Sequence, residues 1–483
     1  MLKNDKYEVV IGLEIHAQLN TNSKAFCSDK VEFGAAPNTL VSPISLGHPG
    51  TLPVHNKEAV NMAIMLGLAC GCDIREYNTY DRKNYFYADL PKGYQITQMD
   101  TPICNNGKVE IILPDGSTKD INLTRIHMEE DTGKGLHDLD IENTLMDYNR
   151  AGTALVEIVT EPDFRSGDEA YAFLSEVRKL VRYLGVCDGN MEEGSLRCDA
   201  NVSVRPLGAK EFGVKVEVKN MNSMTNVKKA IEYEFERQCK MADAGEEIFS
   251  ETRNFDALKG TTFGMRSKED ANDYRFFPEP DLPPLFVSQE WIAEVKSQMP
   301  ALPKELFARF TGEYKLGEYD ASILTESKEV ADYFLAVCEY SSNYKAAANW
   351  VMGAVKKWVN SNATHIGKFP IGAATIADLI ASIDEGTINF SVAEQKVFPI
   401  LLENPTQKVG EIIQEQNLAL MDDDGALQKW IDEVLAEFPE KVADYKSGKT
   451  NLIGLFIGQV KKKSGGKADP KKTSQLLAKA LNG

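Results

Sequence analysis

The sequence has no long hydrophobic run and no closely paired cysteines. Its richest apolar segment, residues 59–72, is shorter than the roughly 20 residues that a membrane-spanning helix needs. The N-terminal segment MLKNDKYEVV lacks the apolar core of a secretory signal peptide. The eight cysteines form no C-x-x-C pair, so neither a disulfide framework nor a zinc knuckle is indicated. We therefore expect a cytoplasmic protein that does not bind a membrane.

Common nucleotide motifs and broad positive charge are absent as well. Neither G-x-x-x-x-G-K-S/T nor G-x-G-x-x-G occurs, so a nucleotide site would be of neither the P-loop nor the Rossmann type. The net charge of −18 argues against indiscriminate nucleic-acid binding. One basic segment remains, because residues 461–479 carry seven lysines against one acid, Asp469. That segment is either a solvated terminal helix or a local surface for RNA.

The pattern of the chain changes from alternating to helical. At 483 residues, the chain is long enough for more than one domain. Its first part contains short alternating runs and turn signals, interrupted by helices such as the one that Ser166 and Glu169 begin as a capping box. We predict an α+β fold, with an N-terminal mixed domain around a large, mostly antiparallel sheet, followed by two all-helical domains. The predicted boundaries are 1–297, 298–407 and 408–483.

Residues 191–220 predict two strands that each carry one polar and one apolar face. The polar positions are Asp199, Asn201, Ser203 and Arg205 in the first strand, and Lys215, Glu217 and Lys219 in the second. Such a mixture suits the placement of a metal ion or a phosphate better than plain solvation. Arg197, Lys215 and Lys219 could contact phosphate, and the alternative is that these cations pair with Glu217 and Asp199 across the strands. Cys198 falls on the apolar face, which favours a buried structural thiol over a nucleophile.

Acidic residues and a histidine recur on other predicted strands. In YEVVIGLEIHAQL, residues 7–19, Glu14 and His16 share a face and could present two metal ligands. The alternative is a histidine paired with its neighbouring acid. Glu157 lies inside an apolar strand, where a carboxylate is costly to bury unless it is paired or bound to a cation. Oxygen-rich sites with one histidine suit Mg²⁺ or Mn²⁺ better than zinc, whereas each acid alone could be a solvated strand end.

An aromatic and basic segment, DRKNYFYADLPKGYQITQ, covers residues 81–98. Its tyrosines, Tyr85, Tyr87 and Tyr94, stand among arginine and lysine. Such a mixture could hold an unpaired RNA 3′ end by stacking. The alternative is that the tyrosines complete the edge of a hydrophobic core.

Seven segments resemble, in the same order, the family of B subunits of aspartyl/glutamyl-tRNA amidotransferase. They are VIGLEIHAQL, DRKNYFYADLPKGYQITQ, RIHMEEDTGK, DYNRAGTALVEIVTEPD, MEEGSLRCDANVSVRP, EVKNMNSM and NDYRFFPEPDLPPL. The C-terminal segment GKTNLIGLFIGQVKKKSGGKADP resembles the tRNA-contacting tail domain of that family. The resemblance therefore spans the chain.

The resemblance implies a carbon–nitrogen ligase that takes its amide nitrogen from glutamine. The substrate would be Glu misattached to tRNA(Gln), Asp misattached to tRNA(Asn), or both. The chain would use ATP and Mg²⁺ to phosphorylate the side-chain carboxylate, and ammonia would then displace phosphate to give Gln-tRNA or Asn-tRNA. The ammonia would come through a channel from an amidase (glutaminase) A subunit, and a small C subunit would complete and brace a heterotrimer.

The resemblance also implies which residues form the site. Carried over position by position, the catalytic residues and metal ligands are Glu14, His16, Glu130, Glu157 and Asp199. Arg197 and Lys215 are weaker candidates for contact with the phosphates of ATP. Strict alternation places Glu129, not Glu130, beside His127, so the assignment of Glu130 requires the strand to end or bulge there.

One departure from the family concerns zinc. Many members carry zinc-binding cysteines in the segment that corresponds to residues 27–45. Here Cys27 remains, but residues 40–45 read LVSPIS, which leaves too few thiolates for a zinc site. We therefore expect no structural zinc.

Two other functions compete with this interpretation. The first is a tRNA-binding scaffold whose catalytic face has decayed, and the acidic residues named above argue against it. The second is a free-standing ATP-dependent carboxylate–amine ligase that uses dissolved ammonia on a small acid. That second function would leave the basic C-terminal segment without a purpose.

Overall fold

The computed structural model describes residues 4–136, 140, 142–266, 274–420, 424–465 and 467–482. The chain divides into two compact units, Met1–Leu302 and Pro303–Gly483. The first unit mixes strands and helices, and the described part of the second is helical, which confirms the predicted α+β fold class. The further division of the helical region near residue 407 stays a prediction.

The N-terminal unit holds the strands that the structure describes. In chain order they are β1 (Tyr7–Gln18), β2 (Asp73–Ile74), β3 (Tyr77–Asn78), β4 (Asp81–Asn84), β5 (Tyr94–Thr97), β6 (Cys104–Asn105), β7 (Lys108–Ile112), β8 (Thr118–Glu130), β9 (Lys134–Leu136), β10 (Leu145–Asp147), β11 (Ala154–Thr160), β12 (Leu196–Pro206), β13 (Val216–Lys219), β14 (Thr252–Asp256), β15 (Thr261–Arg266), β16 (Arg275–Pro278) and β17 (Leu285–Phe286).

One large sheet organises this unit. Its strands follow the order β15-β14-β13-β12-β1-β11-β8-β6-β2, and β7 pairs with β8 beside that path. The pairs are antiparallel except for β13 with β14, which confirms the predicted mostly antiparallel sheet. A small sheet has the order β16-β4-β5, and two strand pairs, β10-β9 and β17-β3, stand apart from both.

In the described part of this unit, four helices accompany the strands: α1 (Lys57–Ala69), α2 (Gly167–Tyr183), α3 (Met224–Ala244) and α4 (Gln289–Ser297). Helix α2 begins where the sequence predicts, because Ser166 Oγ accepts a hydrogen bond from Glu169 N over 3.2 Å. The reciprocal half of the capping box is displaced. The Glu169 carboxylate accepts from Arg165 N at 2.7 Å, one residue before the cap, and from Lys119 Nζ at 2.8 Å.

Alternating side chains give the large sheet one apolar and one polar face. The apolar face carries buried residues of the central strands, Val9, Ile11, Leu13, Ile15 and Ala17 on β1 and Cys198, Ala200, Val202 and Val204 on β12. Residues of α1, α2 and α3 share the same hydrophobic core, so these helices cover the apolar face. The opposite face is left for polar side chains, as the sequence predicts.

The strand predicted over 214–218 begins later than its alternation indicates. The structure places β13 at Val216–Lys219, with Val214 and Lys215 exposed before it. Gly213 passes so close to β12 that an added Cβ would lie 2.0 Å from the carbonyl oxygen of Val204. We attribute the late start to this close passage, after which the chain enters the sheet.

The C-terminal unit consists of short helices. They are α5 (Pro303–Gly312), α6 (Glu318–Leu324), α7 (Lys328–Tyr340), α8 (Tyr344–Trp350), α9 (Lys356–Ser361), α10 (Ala373–Asp384), α11 (Phe390–Val392), α12 (Phe398–Glu403), α13 (Val409–Glu415), α14 (Asp424–Glu437), α15 (Pro439–Lys446), α16 (Ile453–Lys463) and α17 (Pro470–Asn482). Two π-helical segments, Val351–Val355 and Ala393–Val397, join α8 to α9 and α11 to α12, and 3₁₀ turns occupy Ile366–Lys368 and Thr450–Leu452. Among the described residues, no helix is long and apolar enough to cross a membrane.

Replacing the cap residue of α2 tests the local origin of this helix. We expect Ser166→Ala to lower the free energy of unfolding by about 1 kcal/mol, because Glu169 N loses its acceptor. Ser175→Ala is the matched control, since Ser175 Oγ donates to the helix carbonyl of Tyr171 and to Met224 Sδ but caps no backbone N–H, and alanine is the better helix former. Urea unfolding followed by circular dichroism measures both, and equal losses of stability would contradict the capping role.

Candidate metal centre and active site

Three neighbouring strands place a row of polar side chains across the polar face of the large sheet. His16 of β1 lies opposite Glu157 of β11, and Glu157 lies opposite His127 of β8. The carboxylate oxygen Oε2 of Glu157 is 3.3 Å from His16 Nε2 and 3.4 Å from His127 Nε2. The acid that the sequence places inside an apolar strand is therefore held between two imidazoles.

Glu129 completes the cluster. Its Oε2 lies 4.0 Å from His16 Nε2, and one ligand atom from each of His16, Glu129 and Glu157 can be chosen so that all lie within 4.8 Å of one another. The Glu129 side chain is 1% exposed, and its Oε2 has no hydrogen-bond partner among the described residues. A buried carboxylate oxygen without a donor is costly, and a cation would offset that cost.

The phase of β8 decides which glutamate joins the cluster. An irregularity in the pairing of β8 with β11 lies near Leu123 and Arg125, and the strand then alternates without interruption. His127 and Glu129 therefore share the polar face, and Glu130 turns to the opposite face. There Glu130 Oε1 accepts from Ile96 N at 2.9 Å and pairs closely with Lys92. The structure brings Glu129, rather than Glu130, together with His16 and Glu157.

Glu14 and Asp199 lie on the polar face beside the cluster. They are directly opposite each other on β1 and β12. Asn201 Nδ2 donates to Glu14 Oε1 over 2.8 Å, and Lys219 Nζ donates to Asp199 Oδ2 over 2.8 Å. These two predicted ligands therefore form an adjoining acidic pair and are not part of the group of three.

The predicted phosphate contacts lie in different environments. Arg197, opposite His16 on β12, donates to Asp131 Oδ2 over 3.0 Å, and Gln18 Nε2 donates to the same oxygen over 2.6 Å. Lys215 is exposed ahead of β13. Lys219, which the sequence suggests as an ion-pair partner of acids, indeed pairs with Asp199 and with Glu217 at 2.9 Å. Lys219 therefore lies in direct contact with the acidic pair.

The charges of the cluster stabilise one another. Burial alone would lower the pKa of His16, but the hydrogen bond and the charge of Glu157 outweigh it and raise that pKa. Burial would raise the pKa of Glu157, yet the two histidines hold it well below the ordinary value. The carboxylate of Glu157 is therefore ionised and ready to act as a ligand.

Besides His127, to which the sequence assigned no role, sequence reasoning missed two members of the site. Lys83 of β4 places its Nζ 3.4 Å from Glu129 Oε1, and its pKa is raised because the charges of Glu129 and Glu157 outweigh its burial. Asp131 joins Arg197 to Gln18 and lies 3.7 Å from Arg150 Nε. Both lie in segments that the sequence marks, but only the tertiary structure brings β4 beside the large sheet.

A second feature lies on the other side of the small sheet. It is a cavity of about 200 Å³ lined, among others, by Cys27, Ser45, His48, Arg82, Lys92 and Glu130. Burial raises the pKa of the Cys27 thiol to about 11, which disfavours the thiolate that a metal would need. Among the described residues, His16, Glu129 and Glu157 form the one group of three or more potential ligands. The absence of zinc stays a prediction.

Comparisons with known proteins bear on the same residues. A model of the GatB/GatE catalytic domain matches residues 9–293, and a model of the GatB domain matches residues 332–481. The chain belongs to the family of B subunits of aspartyl/glutamyl-tRNA amidotransferase. It is 48% identical over 478 residues to the B subunit of aspartyl/glutamyl-tRNA(Asn/Gln) amidotransferase from Syntrophotalea carbinolica, covering 99% of both chains. It is 49% identical over 478 residues to the same protein from Trichlorobacter lovleyi, covering 99% of this chain and all of the relative.

Family membership confirms the resemblance of the seven segments and the enzyme class. The chain is a component of a glutamine-dependent carbon–nitrogen ligase. The matched catalytic domain contains every residue of the cluster described above. The individual roles of these residues stay predictions.

The choice between the neighbouring glutamates can be tested by metal binding. We expect Glu129→Gln to weaken Mn²⁺ binding by about tenfold or more, because an amide oxygen replaces a charged ligand. Glu130→Gln is the matched control, and its affinity should stay close to that of the unmodified protein because Glu130 faces away. Titration followed by electron paramagnetic resonance measures both, and the reverse order of effects would restore Glu130 as the ligand.

Proposed function

We propose that this chain activates the side-chain carboxylate of Glu on tRNA(Gln), Asp on tRNA(Asn), or both, by ATP-dependent phosphorylation. Ammonia then converts the activated group to the amide of Gln-tRNA or Asn-tRNA. The observation that carries the proposal is the cluster of half-buried His16 with buried Glu129 and Glu157, beside the acidic pair Glu14 and Asp199. Family membership supports the tRNA-dependent amidotransferase role.

The cluster fits a divalent cation of the Mg²⁺ type. Its donors are two carboxylates and one imidazole, and the buried Oε2 of Glu129 has no hydrogen-bond partner among the described residues. His16, Glu129 and Glu157 would hold the ion, with Glu14 and Asp199 nearby for a second one. When bound, Mg²⁺ lowers the repulsion between the phosphates of ATP and the carboxylate that must approach them.

The proposed chemistry begins because a carboxylate is a poor electrophile. One carboxylate oxygen of the aminoacyl group attacks the γ-phosphorus of ATP, the bond to the β-phosphate oxygen breaks, and ADP leaves. Ammonia then attacks the carbonyl carbon of the acyl phosphate. Phosphate leaves with the bonding electrons, a proton is lost from nitrogen, and the amide remains.

Residues of this chain position charge around that reaction. Lys219, bound to Asp199 and Glu217, supplies a fixed cation next to the acidic pair. Arg197 is oriented by Asp131 and lies across the strand from His16. Burial opposes the charge of both cations, but the neighbouring carboxylates outweigh it and raise their pKa values, so both stay protonated for contact with phosphate. Lys215 is the exposed, weaker candidate for the same contact.

The remaining parts of the proposal concern partners and place. We propose that an amidase (glutaminase) A subunit makes the ammonia and passes it through a channel, and that a small C subunit completes a heterotrimer. The relatives are each one subunit of a larger enzyme, which supports partners in general. The aminoacyl-tRNA substrates would place the enzyme in the cytoplasm, without a membrane. No structural zinc is part of the proposal.

The C-terminal helices are proposed to contact tRNA. The basic residues of 461–479 lie on α16, on α17 and in the turn between them. Lys463 is engaged by Glu433 at 3.0 Å and Glu437 at 2.5 Å. Lys462 and Lys471 are exposed. These exposed cations suit the phosphate backbone of RNA.

Labelled ATP tests the phosphorylation step in the assembled enzyme. With misacylated Glu-tRNA, γ-labelled ATP, Mg²⁺ and ammonium but no glutamine, we expect Gln-tRNA and ATP cleavage. Glu157→Gln and Asp199→Asn should each lower kcat by about a hundredfold or more, because each removes charge around the transferred phosphoryl group. The matched control Glu193→Gln alters an exposed acid outside the cluster and should keep normal turnover. Normal turnover in both cluster variants would place the chemistry in another subunit.

Deleting residues 410–483 tests the tail. We expect the KM for misacylated tRNA to rise about tenfold or more while kcat at saturating tRNA is kept, because the deletion removes the proposed phosphate-binding surface and leaves every residue of the cluster in the chain. Substituting the exposed pair Lys462 and Lys471 by glutamine should give a smaller rise and weaken the dependence on salt. Unchanged turnover at limiting tRNA would reject the RNA role and favour a ligase for small acids.

A further inference from the structure

The small sheet β16-β4-β5 presents different side chains to its two sides. On β4, Lys83 points toward Glu129, and its neighbour Arg82 points the other way, toward Glu279 at 2.7 Å. The guanidinium group of Arg82 stacks over the ring of Tyr94, with its carbon 4.2 Å from the ring centroid. Tyr94 therefore lies on the cavity side of the small sheet. The other two tyrosines of the 81–98 segment, Tyr85 and Tyr87, lie on the opposite side.

Tyr85, Tyr87 and Tyr274 form a cluster on the Lys83 side, which we call the aromatic shelf. The ring centroid of Tyr85 is 5.5 Å from that of Tyr87 and 5.4 Å from that of Tyr274, both edge to face. Tyr85 is anchored, because its hydroxyl donates to Gln95 Oε1 over 3.0 Å. Tyr87 and Tyr274 remain 50% and 53% exposed. About half of the surface of these two rings is therefore accessible to a ligand.

The shelf adjoins the proposed metal cluster. Lys83 Nζ lies 4.8 Å from the ring centroid of Tyr274 and 3.4 Å from Glu129 Oε1. One lysine head thus touches both the aromatic ring and a cluster carboxylate. A ligand on the shelf can reach the cluster over the length of a single side chain.

We propose that the aromatic shelf stacks the base of the terminal adenosine of the aminoacyl-tRNA, a role that rests on the proposed function. The amino acid is esterified to the ribose of that nucleoside, so the ester and the ribose tie its side chain to the base. When the carboxylate is at the cluster, the adjoining shelf is within reach of that base. The adenine of ATP is joined to the reacting phosphorus by a chain of similar length, so the KM for ATP in the shelf variants distinguishes the two occupants.

The chemistry of the shelf suits this occupant. Stacking on aromatic rings recognises an unpaired base by its face and tolerates any sequence, which suits an end common to all tRNAs. Lys83 adds a cation beside Tyr274, where the phosphate and ribose of the last nucleotide would pass. A partner protein would be the other occupant of exposed aromatic rings, and assembly of the variants distinguishes it.

Variants of Tyr274 in the assembled enzyme test the proposal. We expect Tyr274→Ala to raise the KM for misacylated tRNA roughly tenfold or more, and Tyr274→Phe, which keeps the ring, to stay near the unmodified value. The KM for ATP and the glutaminase activity should not change. Phe277→Ala is the matched control, because this aromatic residue of β16 is 46% exposed on the Arg82 side. Equal effects of Tyr274→Ala and Tyr274→Phe, or no effect, would overturn the proposal.

A tRNA that lacks its terminal base supplies the second arm. This substrate should lose affinity for the unmodified enzyme, and Tyr274→Ala should then cause no further loss. A rise in the KM for ATP would assign the shelf to the nucleotide, and failure of Tyr274→Ala to assemble would assign it to a partner protein, and either result overturns the proposal. Glu129→Gln separates the two hypotheses. If that variant turns over normally, the proposed function fails; if it is inactive while Tyr274→Ala is normal, only the shelf fails.

Discussion

The site depends on one buried carboxylate, that of Glu157, in the middle of an apolar strand. Leaving such a charge without a partner would cost about 3–5 kcal/mol, a large part of the stability of an ordinary domain. His16 and His127 approach it from the strands on either side. The register of β1, β11 and β8 places both histidines on the same face as Glu157. The site therefore forms only when these three strands pair in this register.

That register is secured from the opposite face. The core strands bury an apolar surface against α1, α2 and α3, and a shift by one residue would turn that surface toward solvent and the acids into the core. Burial of the apolar face therefore fixes the strand register, and that register in turn aligns the polar side chains on the other face. A site built on rigid central strands is also held in place before any substrate arrives.

Consecutive glutamates show how the sheet separates two environments. Glu129 and Glu130 turn to opposite faces, and each meets a lysine of the same aromatic segment, Lys83 for Glu129 and Lys92 for Glu130. Because β4 and β5 belong to a small sheet beside the large one, the segment supplies cations to both sides. The same alternation sends Tyr94 to the cavity side and Tyr85 to the cluster side.

The sequence by itself determined the elements whose causes are local. The alternation of β1 and β12, the start of α2 at Ser166 and the burial of Cys198 all follow from side-chain period or capping, and the structure confirms them. The family, too, could be identified from the motifs alone, and with it a set of predicted ligands of which His16 and Glu157 converge in space.

Tertiary structure alone decided which side chains of separate strands meet. Alternation along β8 already indicates that Glu129, rather than Glu130, shares a face with His127, but only the register of β8, β11 and β1 brings that face to Glu157 and His16. Lys83 joins the cluster, and Tyr274 joins Tyr85, only because strands far apart in the chain pair in the small sheet. Side-chain alternation is a local property of each strand, whereas contacts between strands depend on how the whole chain packs.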